Sequence, residues 1–231
     1  MIFSDRAEAG RQLAARLLHL KNAKPVVLAL PRGGVAVAVP LAEALLDGGI
    51  GCAEVTFRTS AAGEAIHGIS STCGELLVGA GTVLTVEQAE QATQAGAQYV
   101  VAPGFDPAVV GWCQERNVPV IPGVATPTEI SMALARGLSL LKFFPAEAMG
   151  GVQTLRALSA PFAGVRFVPT GGITAANLPQ YLALPNVAAC GGSWMAKEDM
   201  ISAGKFAEIA RLSRQARAIV RHVRGEPEVN Q

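Results

Sequence analysis

The 231-residue chain carries 19 Lys and Arg against 18 Asp and Glu, a formal net charge of +1, and is half hydrophobic but only 5% aromatic. With no basic run and no acidic tail, it lacks the charge footprint of a nucleic-acid binder or a membrane-surface protein. Its length suits one large α/β barrel or two small domains, and buries enough surface to fold without staples.

The N-terminus, MIFSDRAEAG, contains acids and no apolar segment, so it does not read as a secretory signal. Residues 4–20 are expected to form an amphipathic helix plugging the bottom of the fold, with 1–24 as helix and lead-in. The apolar stretch 25–46 is broken by Arg32, Gly33, Gly34 and Pro40 and does not make a continuous span, so a soluble cytoplasmic protein is expected. From Pro25 onward, short apolar runs alternate with amphipathic segments. PVVLAL, CAEVTF, ELLVGAG, QYVVAPG, VPVIPG, SLLKFFP, VRFVPTGG and NVAACGG read as strands, most of them closed by Gly or Pro. Between them VPLAEALLDG, TVEQAEQATQAG, PAVVGWCQERN and TEISMALARG read as helices, several opened by Thr85, Pro107 or Thr128.

Eight such βα units without a Pro/Ser-rich linker predict a single-domain (β/α)₈ TIM barrel over 25–224, with the extra N-terminal helix before it. The last residues, 225–231, are expected to fray. The four cysteines (Cys52, Cys73, Cys113, Cys190) are scattered and read as buried free thiols. His19, His67 and His222 share no ligand spacing, so neither a metal nor another cofactor is expected.

Reactive groups in such barrels lie at the C-terminal ends of the strands. Of five lysines, only Lys142 sits inside an apolar strand, SLLKFFP. Alternation puts Leu140, Lys142 and Phe144 on one face, and an amine drawn into a dry lumen favours the neutral form that attacks a carbonyl. The plain alternative is a lysine snorkelling from a strand end or ion-paired for structure. In EVTFRT, Glu54, Thr56 and Arg58 share one face at period two. They are either a structural ion pair or a general base at Glu54 with a carboxylate clamp at Arg58. The loops PTGGIT and CGGSW close the seventh and eighth strands. There Gly171, Gly172, Gly192 and Ser193 offer unobstructed main-chain donors for a phosphate.

Residues 38 to about 217 resemble the 2-keto-3-deoxy-6-phosphogluconate (KDPG) aldolases, a family also active on 4-hydroxy-2-oxoglutarate. The resemblance rests on AVPLAEAL, EVTFRT, VGAGTVLT, PGVATPTE, LKFFPAEAMGG, VRFVPTGGIT, LALPNV and CGGSW, which stand in the family's order. It implies a metal-independent Schiff-base aldolase with Lys142 as the covalent residue and Glu54 as acid/base. It also implies Arg58 and Thr82 near the pyruvyl carboxylate, Pro103 and Phe144 lining the pocket, and Thr170, Gly171, Gly172, Gly192 and Ser193 around the phosphate. A small-molecule substrate, a cytoplasmic homotrimer and a place in the Entner–Doudoroff route are further implications.

The front of the chain departs from the family. MIFSDRAEAGRQLAARL and VVLALPRGGVAVA resemble the opening of a phosphoribosyltransferase, whose diphosphate-sugar motif is missing from the sequence. Residues 25–31 are nonetheless expected to form the first barrel strand, paired with the second and eighth. Arg32, in the loop that follows, either adds positive charge near the site or faces solvent. Two rival readings stand beside the aldolase: another phosphate-binding barrel enzyme, and a catalytically impaired barrel serving as a binding subunit.

Overall fold

The aliphatic runs become eight parallel strands in a computed structural model that describes residues 26–30 and 35–225. They are β1 Val26–Leu30, β2 Cys52–Thr56, β3 Leu77–Gly81, β4 Val100–Val101, β5 in two pieces, Val120–Ile121 and Gly123–Val124, β6 Leu140–Phe143, β7 Arg166–Pro169 and β8 Cys190–Gly191. The helices among the described residues are α1 Val35–Asp47, α2 Ala62–Thr72, α3 Val86–Gln94, α4 Pro107–Glu115, α5 Pro127–Ala135, α6 Gly151–Ser159, α7 Leu178–Leu182, α8 Glu198–Ser202 and α9 Phe206–Arg224.

The ring of strands closes on itself. β1 pairs with both β2 (Ala29 opposite Glu54) and β8 (Val26 opposite Cys190), as expected of the first barrel strand. The break in β5 falls at Pro122, which has no N–H to give a ladder. Before it, Val120 and Ile121 pair with β4; after it, Gly123 and Val124 pair with Lys142 and Phe143 of β6. β7 meets β8 through bridges at Phe167–Val187 and Thr170–Gly191. Closure leaves no unpaired edge among the described strands, so short strands suffice.

Strand alternation divides the core in two. Outward residues such as Val55, Val78, Val100, Leu141, Phe143 and Phe167 pack against the helices in one large cluster. Phe143 and Phe167 meet edge to face, with ring centroids 6.3 Å apart. Inward residues Cys52, Tyr99, Val101 and Ile121, with Leu77 and Leu140 against them, form a separate small cluster within the lumen. All four cysteines are free and buried, and burial pushes Cys52, Cys113 and Cys190 up to about 12.

Helix starts follow local chemistry. Thr85 caps α3 by accepting from Gln88 N, and Asp106 caps α4 ahead of Pro107. The cap of α5 is Thr126 in a capping box with Glu129; Thr128 lies inside the first turn, because Pro127 already occupies the first helical position. α1 begins upstream of the expected Val39 and carries Pro40 inside it. The longest helix, α9, buries Ile209, Ala210, Ala216 and Val220 against α1 and α7. Each large aliphatic side chain so buried contributes about 1.5–3 kcal/mol. The expected N-terminal helix, Arg32 and the tail beyond Gly225 lie outside the described residues. No helix among the described residues is long and apolar enough to cross a membrane.

Candidate active site

The lumen is built in layers. Leu140 of β6 and Cys52 of β2 belong to its floor, where the Tyr99 hydroxyl donates to Ala53 O at 2.8 Å and lies 3.2 Å from Cys52 Sγ. One period higher on the same strands stand Lys142 and Glu54, so the two side chains must face each other above a dry apolar base. Lys142 Nζ lies 3.4 Å from Glu54 Oε1, with both side chains at least 94% shielded from solvent. The Phe144 ring covers the amine, its centroid 5.2 Å from Nζ.

Burial pushes the Glu54 carboxyl above the usual carboxylate range, and the charges of Lys142 and Arg58 oppose that rise without cancelling it. Glu54 therefore keeps its proton to higher pH than a solvated carboxylate would, and it does so beside the Lys142 amine.

Space for the carboxyl comes from β3. A Cβ on Gly81 would overlap the Glu54 carboxyl, and one on Gly79 would overlap the Tyr99 ring. The two glycines alternate on the lumen face of VGAG, a period-two signal present in the sequence but not read there as room for a neighbour. Gly123, registered opposite Lys142, likewise has the Pro103 carbonyl where its Cβ would be, which brings Pro103 to the level of the lysine.

The rim departs in part from the sequence reading. β2 ends at Thr56, and Arg58 falls in the bend that follows, where its N–H bonds Thr56 O at 2.9 Å. Alternation therefore carries Glu54 and Thr56 but stops short of Arg58, which is exposed at the mouth. Arg58 lines an open depression of about 330 Å³ with Phe57, Thr59, Ser60, Gly63, Gln88 and Gln91. Its charge still reaches Glu54. Thr82, the first residue beyond β3, has φ +58°, a left-handed conformation that is strained for a β-branched side chain. The peptide Phe144–Pro145 is cis.

The two glycine loops stand side by side. Thr170 bridges to Gly191, and its side chain fills the space a Cβ on Gly191 would need. Gly171 and Gly172 have φ of +99° and +81°. Their carbonyls are tied off by Glu147 N at 3.1 Å and Asn177 Nδ2 at 3.0 Å. Gly192 is buried beneath the Trp194 ring, and Ser193 is exposed next to it. No cluster of three or more His, Cys, Asp or Glu with metal-holding geometry occurs among the described residues. Tyr99, Glu147 and Tyr181 are the shaping residues that sequence reasoning missed; nothing in their local pattern distinguishes them from ordinary core and loop residues.

Several known proteins are similar to this chain in sequence and in shape. A family model described as KDPG and KHG aldolase matches residues 19–212, a span that begins ahead of β1. The 2-dehydro-3-deoxy-phosphogluconate aldolase of Treponema pallidum is 57% identical over 183 residues, covering 79% of this chain and 87% of that protein. The KHG/KDPG aldolase of Escherichia coli K12 is 46% identical over 179 residues, 78% of this chain and 84% of that one. Among solved structures, the KDPG aldolase of Legionella pneumophila, with pyruvate captured at low pH as a covalent carbinolamine intermediate, superposes with a TM-score of 0.81. It is 36% identical and covers 92% of this chain and 98% of its own.

Proposed function

The chain belongs to the KDPG and KHG aldolase family, and from that premise we propose that it cleaves 2-keto-3-deoxy-6-phosphogluconate to pyruvate and glyceraldehyde 3-phosphate through a Schiff base on Lys142. 4-Hydroxy-2-oxoglutarate, split to pyruvate and glyoxylate, is its second substrate. The observation that carries this reading is the Lys142 amine held 3.4 Å from the Glu54 carboxyl inside the barrel.

The chemistry follows from that pair. Neutral Lys142 Nζ adds to the C2 ketone, and the resulting carbinolamine loses water to give an iminium. Glu54 takes the C4 hydroxyl proton through a water. The C3–C4 bond then breaks, and its electrons enter the iminium as an enamine while the aldehyde leaves. Glu54, now protonated, returns the proton to C3, and water hydrolyses the iminium to release pyruvate and free the amine. A carboxyl raised by burial holds its proton between the two transfers, which a solvated carboxylate does poorly. Arg58 and Thr82 take the substrate carboxylate at the mouth, and Pro103 and Phe144 line the pocket. Thr170, Gly171, Gly172, Gly192 and Ser193 hold the phosphate.

The same reading makes the protein a cytoplasmic homotrimer of the Entner–Doudoroff route, with a single barrel domain over 25–224, no cofactor and no macromolecular partner beyond its own copies. The test is reductive trapping. Borohydride with pyruvate adds one pyruvyl group, and peptide mapping places it on Lys142. Label on Lys197 or Lys205 overturns the assignment, and no label at all leaves the catalytically impaired barrel in its place.

A further inference from the structure

Five residues beyond Lys142, the β6–α6 loop sends Glu147 toward the first glycine loop. Glu147 holds that loop at two points. Its backbone N–H donates to Gly171 O at 3.1 Å, next to a parallel bond from Ala146 N to Thr170 O at 2.8 Å. Its side-chain stem lies against Gly172, where an added Cβ would come within 2.5 Å of Glu147 Cγ. The carboxylate then continues past Gly172 and accepts a hydrogen bond from the Tyr181 hydroxyl.

Tyr181 is fully buried in α7 and offers the carboxylate a fixed donor. Burial and the Glu147 carboxylate raise its phenol above the ordinary value, so the hydroxyl keeps its proton across the working pH range. Gly151, at the start of α6, is also fitted to the contact: a Cβ there would lie 2.8 Å from the Tyr181 hydroxyl and 3.1 Å from Glu147 Oε1. An acid beside an anion-binding loop repels the anion unless something directs it elsewhere. Here the buried phenol ties the charge to α7 and uses it to brace the loop.

We infer that Glu147 and Tyr181 form a positioning pair for the phosphate end of the site. Neither touches substrate. Together they fix the Thr170–Gly172 backbone so that its donors are aimed before the phosphate arrives, which sets affinity for phosphorylated substrates and leaves Schiff-base chemistry alone. The inference rests on the reading of Gly171 and Gly172 as phosphate ligands.

The experiment compares Tyr181→Phe, Glu147→Ala and Glu147→Gln on 2-keto-3-deoxy-6-phosphogluconate and on the same acid without its phosphate, 2-keto-3-deoxygluconate. Tyr181→Phe and Glu147→Ala raise KM for the phosphorylated acid roughly tenfold, the scale of one hydrogen bond to a charged acceptor. They leave its kcat, the kinetics of the unphosphorylated acid and the stoichiometry of pyruvate trapping unchanged. Glu147→Gln, which keeps both the stem and an acceptor oxygen, restores most of the loss. Equal effects on the two acids, or a fall in trapping stoichiometry, overturn the pair as a positioning device and make it general scaffolding. Gly172→Val separates the two readings. If it weakens only the phosphorylated acid while the pair variants do nothing, the pair alone is refuted. If it too affects both acids equally while its thermal melt matches that of the parent, the phosphate loop itself is misassigned.

Discussion

Gly81 and Glu54 occupy one space between them: the carboxyl of Glu54 lies where the Cβ of any other residue at position 81 would be. The contact sits on neighbouring strands, β2 and β3, and decides where the carboxyl meets the amine of Lys142. Gly81 needs no unusual φ, so its role is clearance rather than conformational freedom. Gly81→Ala should therefore leave the barrel folded while displacing Glu54. Turnover is expected to fall about 10²-fold, the lower end of what a lost general acid/base removes, with pyruvate imine formation retained. A variant with unchanged kcat would show that Glu54 has room to spare.

Glu54→Gln removes the proton carrier and keeps its shape. Cleavage should fall roughly 10²–10⁴-fold, and single-turnover trapping of pyruvate on Lys142 should survive, because attack by the amine does not need the carboxylate. Imine formation and cleavage falling together would mean that Glu54 prepares the lysine instead of moving substrate protons.

The pH dependence of turnover follows from the charges around Glu54. Its carboxyl is raised by burial, and the positive charge of Arg58 holds it lower than burial alone would. Removing that charge makes the carboxylate harder to form, so the proton is released only at higher pH. Arg58→Gln should shift the acidic limb of the kcat profile upward, measured at saturating substrate so that weaker carboxylate binding does not intrude. A limb that stays in place, or moves to lower pH, rules out the electrostatic link between the two residues.

The first strand carries the ring. β1 is the neighbour of both β2 and β8, so removing it exposes two ladder edges and opens the lumen. Deleting residues 1–31 should abolish cooperative unfolding, followed by circular dichroism and thermal melts, whereas deleting residues 1–3 should leave both the melt and turnover near those of the full chain. A folded, active product of the longer deletion would mean that another segment can close the barrel.

Much of this was legible along the chain. Eight apolar runs at regular spacing specified the barrel, because a parallel strand covered on both faces must be apolar throughout and a crossover needs a helix between successive strands. The same logic singled out Lys142 and Glu54: a charged group within such a run has to face something that compensates it. Period-two counting grouped Lys142 with Leu140 and Phe144 on one face and Glu54 with Thr56 on another, since alternation is a property of the extended backbone alone; the closed barrel turned both faces to the lumen.

What the sequence did not hold was decided where separate strands and loops meet. Alternation failed for Arg58 because the strand stops at Thr56, and a strand's end is set by whether its neighbour still offers partners. Gly81 looks like a strand-weakening residue until Glu54, 27 positions away, is seen to fill its place. The Glu147–Tyr181 bond joins residues 34 positions apart across the glycine loop. Such contacts depend on how far each chain segment advances before it turns. That is fixed by closing the ring and packing the helices around it, so local pattern determines which face a side chain takes and only the closed barrel determines what it meets there.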